Sequence, residues 1–153
     1  MVEAKPWIGL AARLAAGAVW LVAGAVKATD FTSFHAEVRA YDVLPGSLVE
    51  WVAYGLPLLE IALGAYLVAG LMIRPAAALS CALMAVFIAA QAQAWARGLN
   101  LDCGCFGSIA RQRVGAGSIA RDLALAVPSV AALAWADTRL SLDGLRRPAA
   151  RGG

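Results

Sequence analysis

Apolar residues run along this chain in four long blocks, at about 7–28, 50–73, 75–96 and 118–136, and the interruptions are few. The first block carries Arg13, and the second is broken only by Glu60. The third has no charge, and the fourth has Arg121 and Asp122 near its start. Each approaches the roughly 20 residues that cross a hydrocarbon core at 1.5 Å of rise per residue. Backbone amides in lipid must be satisfied internally, so the blocks predict helices rather than open strands. Alanine and glycine are dense in all four, as at Ala12 and Ala16 or Gly17 and Gly24, and small residues let helices approach closely where lipid surrounds them.

The polar stretches between the blocks are unequal. The second and third blocks are joined by little more than Ile73-Arg74-Pro75, whereas residues 29–47 and 97–117 form two long connections on the same side of a four-helix chain. Within the first of these, Phe31, Phe34, Val38 and Tyr41 recur near helical spacing, Asp30 stands where a cap is needed, and Leu44-Pro45-Gly46 ends the run. That pattern predicts a short amphipathic helix lying at the membrane interface, where it can form a lid over the second connection. The expected fold class is therefore all-α: an integral membrane four-helix bundle with a short interfacial helix between helices one and two. One domain is expected over residues 1–140, followed by a disordered basic tail at 141–153 that holds Arg146, Arg147 and Arg151.

Composition agrees. The 153 residues are 61% hydrophobic and 15% charged, against roughly 45–50% and about 25% in soluble domains, which leaves too little polar surface to cover a soluble globule. The formal net charge of +3 is spread over helix flanks and loops, without a basic stripe interleaved with aromatics, and this argues against nucleic-acid binding. The first block also has a signal-peptide look, with Ala23-Gly24-Ala25 as a cleavage candidate, but Arg13 and the length of the block argue for a retained helix. Positive residues divide evenly between the two sides, with Lys5, Arg74, Arg139, Arg146, Arg147 and Arg151 opposite Lys27, Arg39, Arg97, Arg111, Arg113 and Arg121, so charge alone does not orient the chain. The basic tail and the compartment in which disulfides persist favour cytoplasmic termini in a cell (inner) membrane, with the 97–117 connection outside.

That connection holds the candidate chemistry, Cys103-Gly104-Cys105-Phe106-Gly107. Two cysteines around a glycine can act as a redox pair, because a disulfide closing so small a ring departs from relaxed geometry and reduces easily, and Gly104 gives the backbone the freedom it needs. Arg111 and Arg113 stand close enough in sequence to stabilise a thiolate. The alternatives are a soft-metal ligand pair for copper or mercury, as in a membrane transporter or chaperone, and a structural staple. Nothing completes a zinc tetrad, since His35 is the only histidine, and no metal site is expected. Cys81, inside the third block, is expected to behave as a small buried hydrophobe, about 33 Å from Cys103 along extended helix. Inside the bilayer, Glu60 stands three residues after Pro57, which is expected to kink its helix, and needs a cation, for which Arg13 and Lys27 are the candidates. An ion pair orienting the first two helices competes with a proton relay or a quinone-contacting carboxylate.

Taken together, Arg13, Gly24-x-x-Lys27, Tyr41-x-x-Leu44-Pro45, Pro57-x-x-Glu60 and Cys103-Gly-Cys105-Phe-Gly107 resemble the DoxX-like membrane proteins, and the cysteine motif resembles the MauE branch, named for methylamine utilisation. The resemblance spans about residues 10–136. It implies a four-helix bundle and a membrane thiol–disulfide oxidoreductase or electron relay that supports disulfide formation or exchange in exported proteins. Cys103 and Cys105 would be the catalytic pair, with Arg13, Lys27 and Glu60 as the polar centre of the bundle and Tyr41, Phe106 and Gly107 as support for the cysteine loop. The implied partners are the lipid bilayer, a separate exported thioredoxin-like protein and another membrane electron carrier, with a quinone as the possible cofactor. The readings that compete with it are the soft-metal transporter and a non-catalytic scaffold that docks a redox enzyme.

Overall fold

The structure, a computed structural model, describes residues 4–103 and 113–135. Cys105, Phe106, Gly107 and Arg111, and the tail expected at 141–153, lie outside the described residues. Among the described residues there are five helices: α1 (Ala4–Thr29), α2 (Phe31–Ala40), α3 (Gly46–Ala69), α4 (Ile73–Ala96) and α5 (Ala116–Ala134). All but α2 are long and apolar enough to cross a membrane, so this is a multi-pass membrane protein with an all-helical fold. Among the described residues the only extended pairing is an isolated antiparallel bridge between Asp102 and Arg113.

Helix α1 is the centre of the bundle. It packs most extensively on α3 and then on α5, while α4 lies against α5. Glycines make the α1–α3 seam close. A methyl group placed on Gly64 would lie 2.8 Å from the Gly17 carbonyl oxygen and 2.9 Å from the Leu21 nitrogen, and one on Gly24 would lie 2.8 Å from the Pro57 carbonyl oxygen. These contacts are to backbone, which cannot rotate away, so Gly64→Ala is expected to cost about 1–3 kcal/mol. The measurement is the thermal midpoint of the purified protein in detergent, and an unchanged midpoint would contradict the seam. Around it, Ala16, Trp20, Leu63, Leu67, Ala77 and Met84 form the main apolar core. Trp20 Nε1 donates to Ser80 Oγ at 2.5 Å, and Ser80 meets Ser129 at 2.7 Å, so the buried polar groups of three helices satisfy one another.

Two expectations about connections need correction. Helix α3 ends at Ala69, earlier than the apolar pattern runs, and the turn is Gly70-Leu71-Met72 rather than Ile73-Arg74-Pro75. Gly70 takes the left-handed conformation (φ 70°) that closes a helix, and Pro75 sits in the first turn of α4, where a missing N–H costs nothing. Helix α2 likewise ends at Ala40, before Leu44-Pro45-Gly46, because Asp42 turns left-handed at φ 49°. Its start is as expected: Asp30 caps it by accepting from the Ser33 N–H at 3.1 Å. Helix α3 runs through Pro57 as one element.

Candidate functional site

Among the described residues, two clusters with charged side chains lie within the bundle. The first joins α1 to α3. Gly24 lets the helices touch beside Pro57 and Glu60, which brings Lys27, one turn further along α1, onto the carboxylate. Lys27 Nζ donates to Glu60 Oε1 at 2.8 Å and to Oε2 at 2.9 Å. Both side chains are sealed off, at 2% and 0% exposure. The ammonium also lies 5.6 Å from the Phe34 ring centroid and 5.5 Å from that of Phe87. Aromatic faces on a desolvated cation add to what the carboxylate supplies.

The second cluster joins α4, α5 and the base of the cysteine loop. Asp102 and Arg113 pair across the neck of that loop, and Val114 N–H donates to the Leu101 carbonyl at 2.8 Å. Cys103, the next residue past the bridge, is buried with Ala94 and Val114, and Tyr41, Leu99 and Leu101 pack around them. Helix α5 starts from Gly115, whose N–H donates to Ser118 Oγ at 3.1 Å. One turn on, Arg121 Nη2 donates to Cys103 Sγ at 3.2 Å. The same guanidinium meets Asp122 Oδ1, through Nε at 3.0 Å and Nη2 at 2.9 Å. Asp122 is buried and accepts a further hydrogen bond from Gln91 Nε2 of α4. A continuous polar line therefore runs from Gln91 through Asp122 and Arg121 to the sulfur.

Residues 5–136 match the family described as methylamine utilisation protein MauE, which is most of the chain. The chain belongs to the MauE family. The methylamine utilization protein MauE of Paracoccus denitrificans is 33% identical over 128 residues, covering 83% of this chain and 69% of that relative. No solved structure matches.

In this MauE-family chain the proposed polar centre divides. Lys27 is the partner of Glu60. Arg13 is also buried, but it lies fourteen positions earlier on α1, about 21 Å along the axis, and belongs to another level of the bundle. Of the two cations expected at Cys103, Arg111 lies outside the described residues and Arg113 is not the one that meets the sulfur. Arg113 is exposed and its backbone forms the bridge at the neck of the loop, while Arg121 is the described cation that reaches the sulfur. Neither Gln91 nor Asp122 stood out in the sequence as part of a site, although an Arg-Asp pair inside an apolar block was the available signal. Tyr41 does sit against the Cys103 cluster, and Arg97 donates to its carbonyl at 3.1 Å, which ties the end of α2 to the end of α4. Cys81 is half-buried rather than buried.

Between α2 and the faces of α3 and α4 lies a cavity of about 200 Å³. Its exposed walls are almost wholly apolar, with Phe34, Tyr41 and Phe87 among them, and Lys27, Glu37 and Gln91 are the charged and amide residues of its lining. One residue of each polar cluster thus faces the same space. Tyr41 lines it too and also packs against the cluster that holds Cys103.

Proposed function

We propose that this protein is a membrane thiol–disulfide exchanger serving a methylamine utilisation system, with Cys103 and Cys105 as its redox pair. The observation that carries the reading is the hydrogen bond from Arg121 to Cys103 Sγ. A cationic donor aimed at a cysteine sulfur stabilises the thiolate, the form that attacks disulfides and leaves from them. The family supports the physiological setting, since the Paracoccus denitrificans relative is named for methylamine utilization. In this reading both termini are cytoplasmic, and the cysteine loop faces the oxidising side, where disulfides persist. The partner is a separate exported thioredoxin-like protein. For electrons that leave through the membrane, the cavity fits the ring of a lipid-soluble quinone. Lys27 and Gln91 would contact its oxygens and the aromatic walls its faces.

The test uses cells whose growth on methylamine depends on this gene. Replacing Cys103 and Cys105 together by serine is expected to abolish that growth and leave exported thiol proteins reduced, scored by alkylation, while the variant accumulates normally in membranes. Full growth with an unchanged thiol pattern would reject the exchange reading.

A further inference from the structure

Resting on the reading of the cavity as a ring-binding site, we infer that the cavity and the Cys103 thiol are energetically linked through Gln91, Asp122 and Arg121, so that a ring with carbonyl oxygens in the cavity and a thiolate at Cys103 oppose one another. Gln91 lines the cavity from α4 and donates through Nε2 to Asp122 Oδ2 of α5. The other carboxylate oxygen, Oδ1, accepts from Arg121. Arg121 Nη2 in turn stands between two acceptors, Asp122 Oδ1 at 2.9 Å and Cys103 Sγ at 3.2 Å. Gln91, Asp122 and Cys103 are each at most 2% exposed, so water does not replace a bond that weakens along this line.

Each of the three divides its bonding between two neighbours, and that fixes the sign of the link. A ring oxygen held by Gln91 draws on the same amide that supports Asp122. The carboxylate then leans harder on Arg121, and Nη2 gives less to the sulfur. A thiolate at Cys103 acts from the other end. It draws Nη2 toward itself, Asp122 turns to Gln91 for compensation, and the amide has less to offer a ring. A sulfur in a disulfide carries no charge, so oxidation of Cys103 relaxes the line toward the ring. The effect is reciprocal, as any linkage of two binding equilibria must be. It lets the membrane site prefer its ligand when Cys103 is oxidised. Tyr41 is common to both places as well, since it lines the cavity and packs against the Cys103 cluster, and it offers a steric route beside the polar one.

The test uses the full-length reduced protein in detergent and a heptyl hydroxyquinoline N-oxide, a redox-inert ring of this class whose fluorescence is quenched on binding. At neutral pH, saturating probe is expected to slow iodoacetamide alkylation of Cys103, read residue by residue by fragment mass spectrometry, by about fivefold. Cys81, half-buried on α4 and not part of the cavity lining, is the internal reference and is expected to keep its rate. In the reverse direction, at a pH high enough to hold Cys103 as the thiolate, Cys103→Ser is expected to bind the probe about fivefold more tightly than the wild type. In Asp122→Ala, and in Asp122→Asn should the alanine form not accumulate, the effect of the probe on Cys103 is expected to fall below about twofold. A probe that does not bind, or whose binding survives filling of the cavity by Ala90→Trp, overturns the reading of the cavity. Bound probe with an unchanged Cys103 rate, or with equal affinity for Cys103→Ser and wild type, overturns the link and leaves that reading standing. A slowing that persists in the Asp122 variants is steric and overturns the polar line.

Discussion

Glu60→Ala is expected to lower the stability of the bundle by about 3–5 kcal/mol, more than any apolar truncation of similar size on α3. The carboxylate is fully buried and accepts from Lys27 through both oxygens, at 2.8 and 2.9 Å. Removing it leaves an ammonium with a desolvation cost that the rings of Phe34 and Phe87 offset only in part. The loss therefore comes mainly from the stranded charge, and a second substitution should recover it. Glu60→Leu combined with Lys27→Met removes both charges and keeps volume, and is expected to return most of the lost stability. Thermal midpoints in detergent for the two single variants and the double variant decide this. If the two losses simply add, the side chains are not coupled and the ion pair does not organise α1 against α3. Glu60→Gln, which still accepts from Lys27, should fall between the wild type and the alanine variant.

Asp122→Ala is expected to cost about 1–3 kcal/mol and at least tenfold in exchange rate. The energetic figure is smaller than for Glu60 because Arg121 keeps 24% of its surface and water screens the charge that is left. The kinetic figure is larger than that stability loss alone would produce, because Asp122 fixes the direction of the guanidinium. Without it Arg121 is no longer held to the sulfur of Cys103, and Gln91 loses its acceptor. Asp122→Asn retains one acceptor oxygen and should behave as an intermediate. Single-turnover exchange with a model disulfide, measured beside the unfolding midpoint, separates the two effects. A destabilised Asp122→Ala protein that exchanges at the native rate would show that the network is structural only.

Much of the fold is legible in the sequence, and what is hidden there is hidden for identifiable reasons. Four apolar blocks near bilayer length, with so few charges, leave helices as the only outcome in lipid. Helix α2 announced itself by aromatic spacing and by Asp30, because those are local signals. The partner of Glu60 was not local. Choosing Lys27 over Arg13 requires the register of α1 on α3, and that register is set where Gly24 meets Pro57 and Glu60. The Gly70 turn was masked because Leu71, Met72 and Ile73 continue the apolar pattern after the helix has stopped. Eighteen residues separate Arg121 from Cys103, so their contact is not a local signal, and the Asp102–Arg113 bridge draws the two ends of the connection together.

Lys27 and Glu60 neutralise one another only after α1 and α3 have met, and this bears on how the nascent chain enters the bilayer. A charged residue near the middle of a single span raises its insertion cost by about 2.5–3.5 kcal/mol, which bears on Glu60 in α3 and on Arg13 in α1, whereas Lys27 stands in the last turn of α1. Handed to lipid one at a time, each of the first two spans would bear that cost alone. Leaving the translocon as a hairpin, with α2 lying at the surface between them, they bear it together. The first span therefore does best to wait beside the insertion machinery until about residue 60 has been made, and the salt bridge is as much a feature of biogenesis as of the finished bundle.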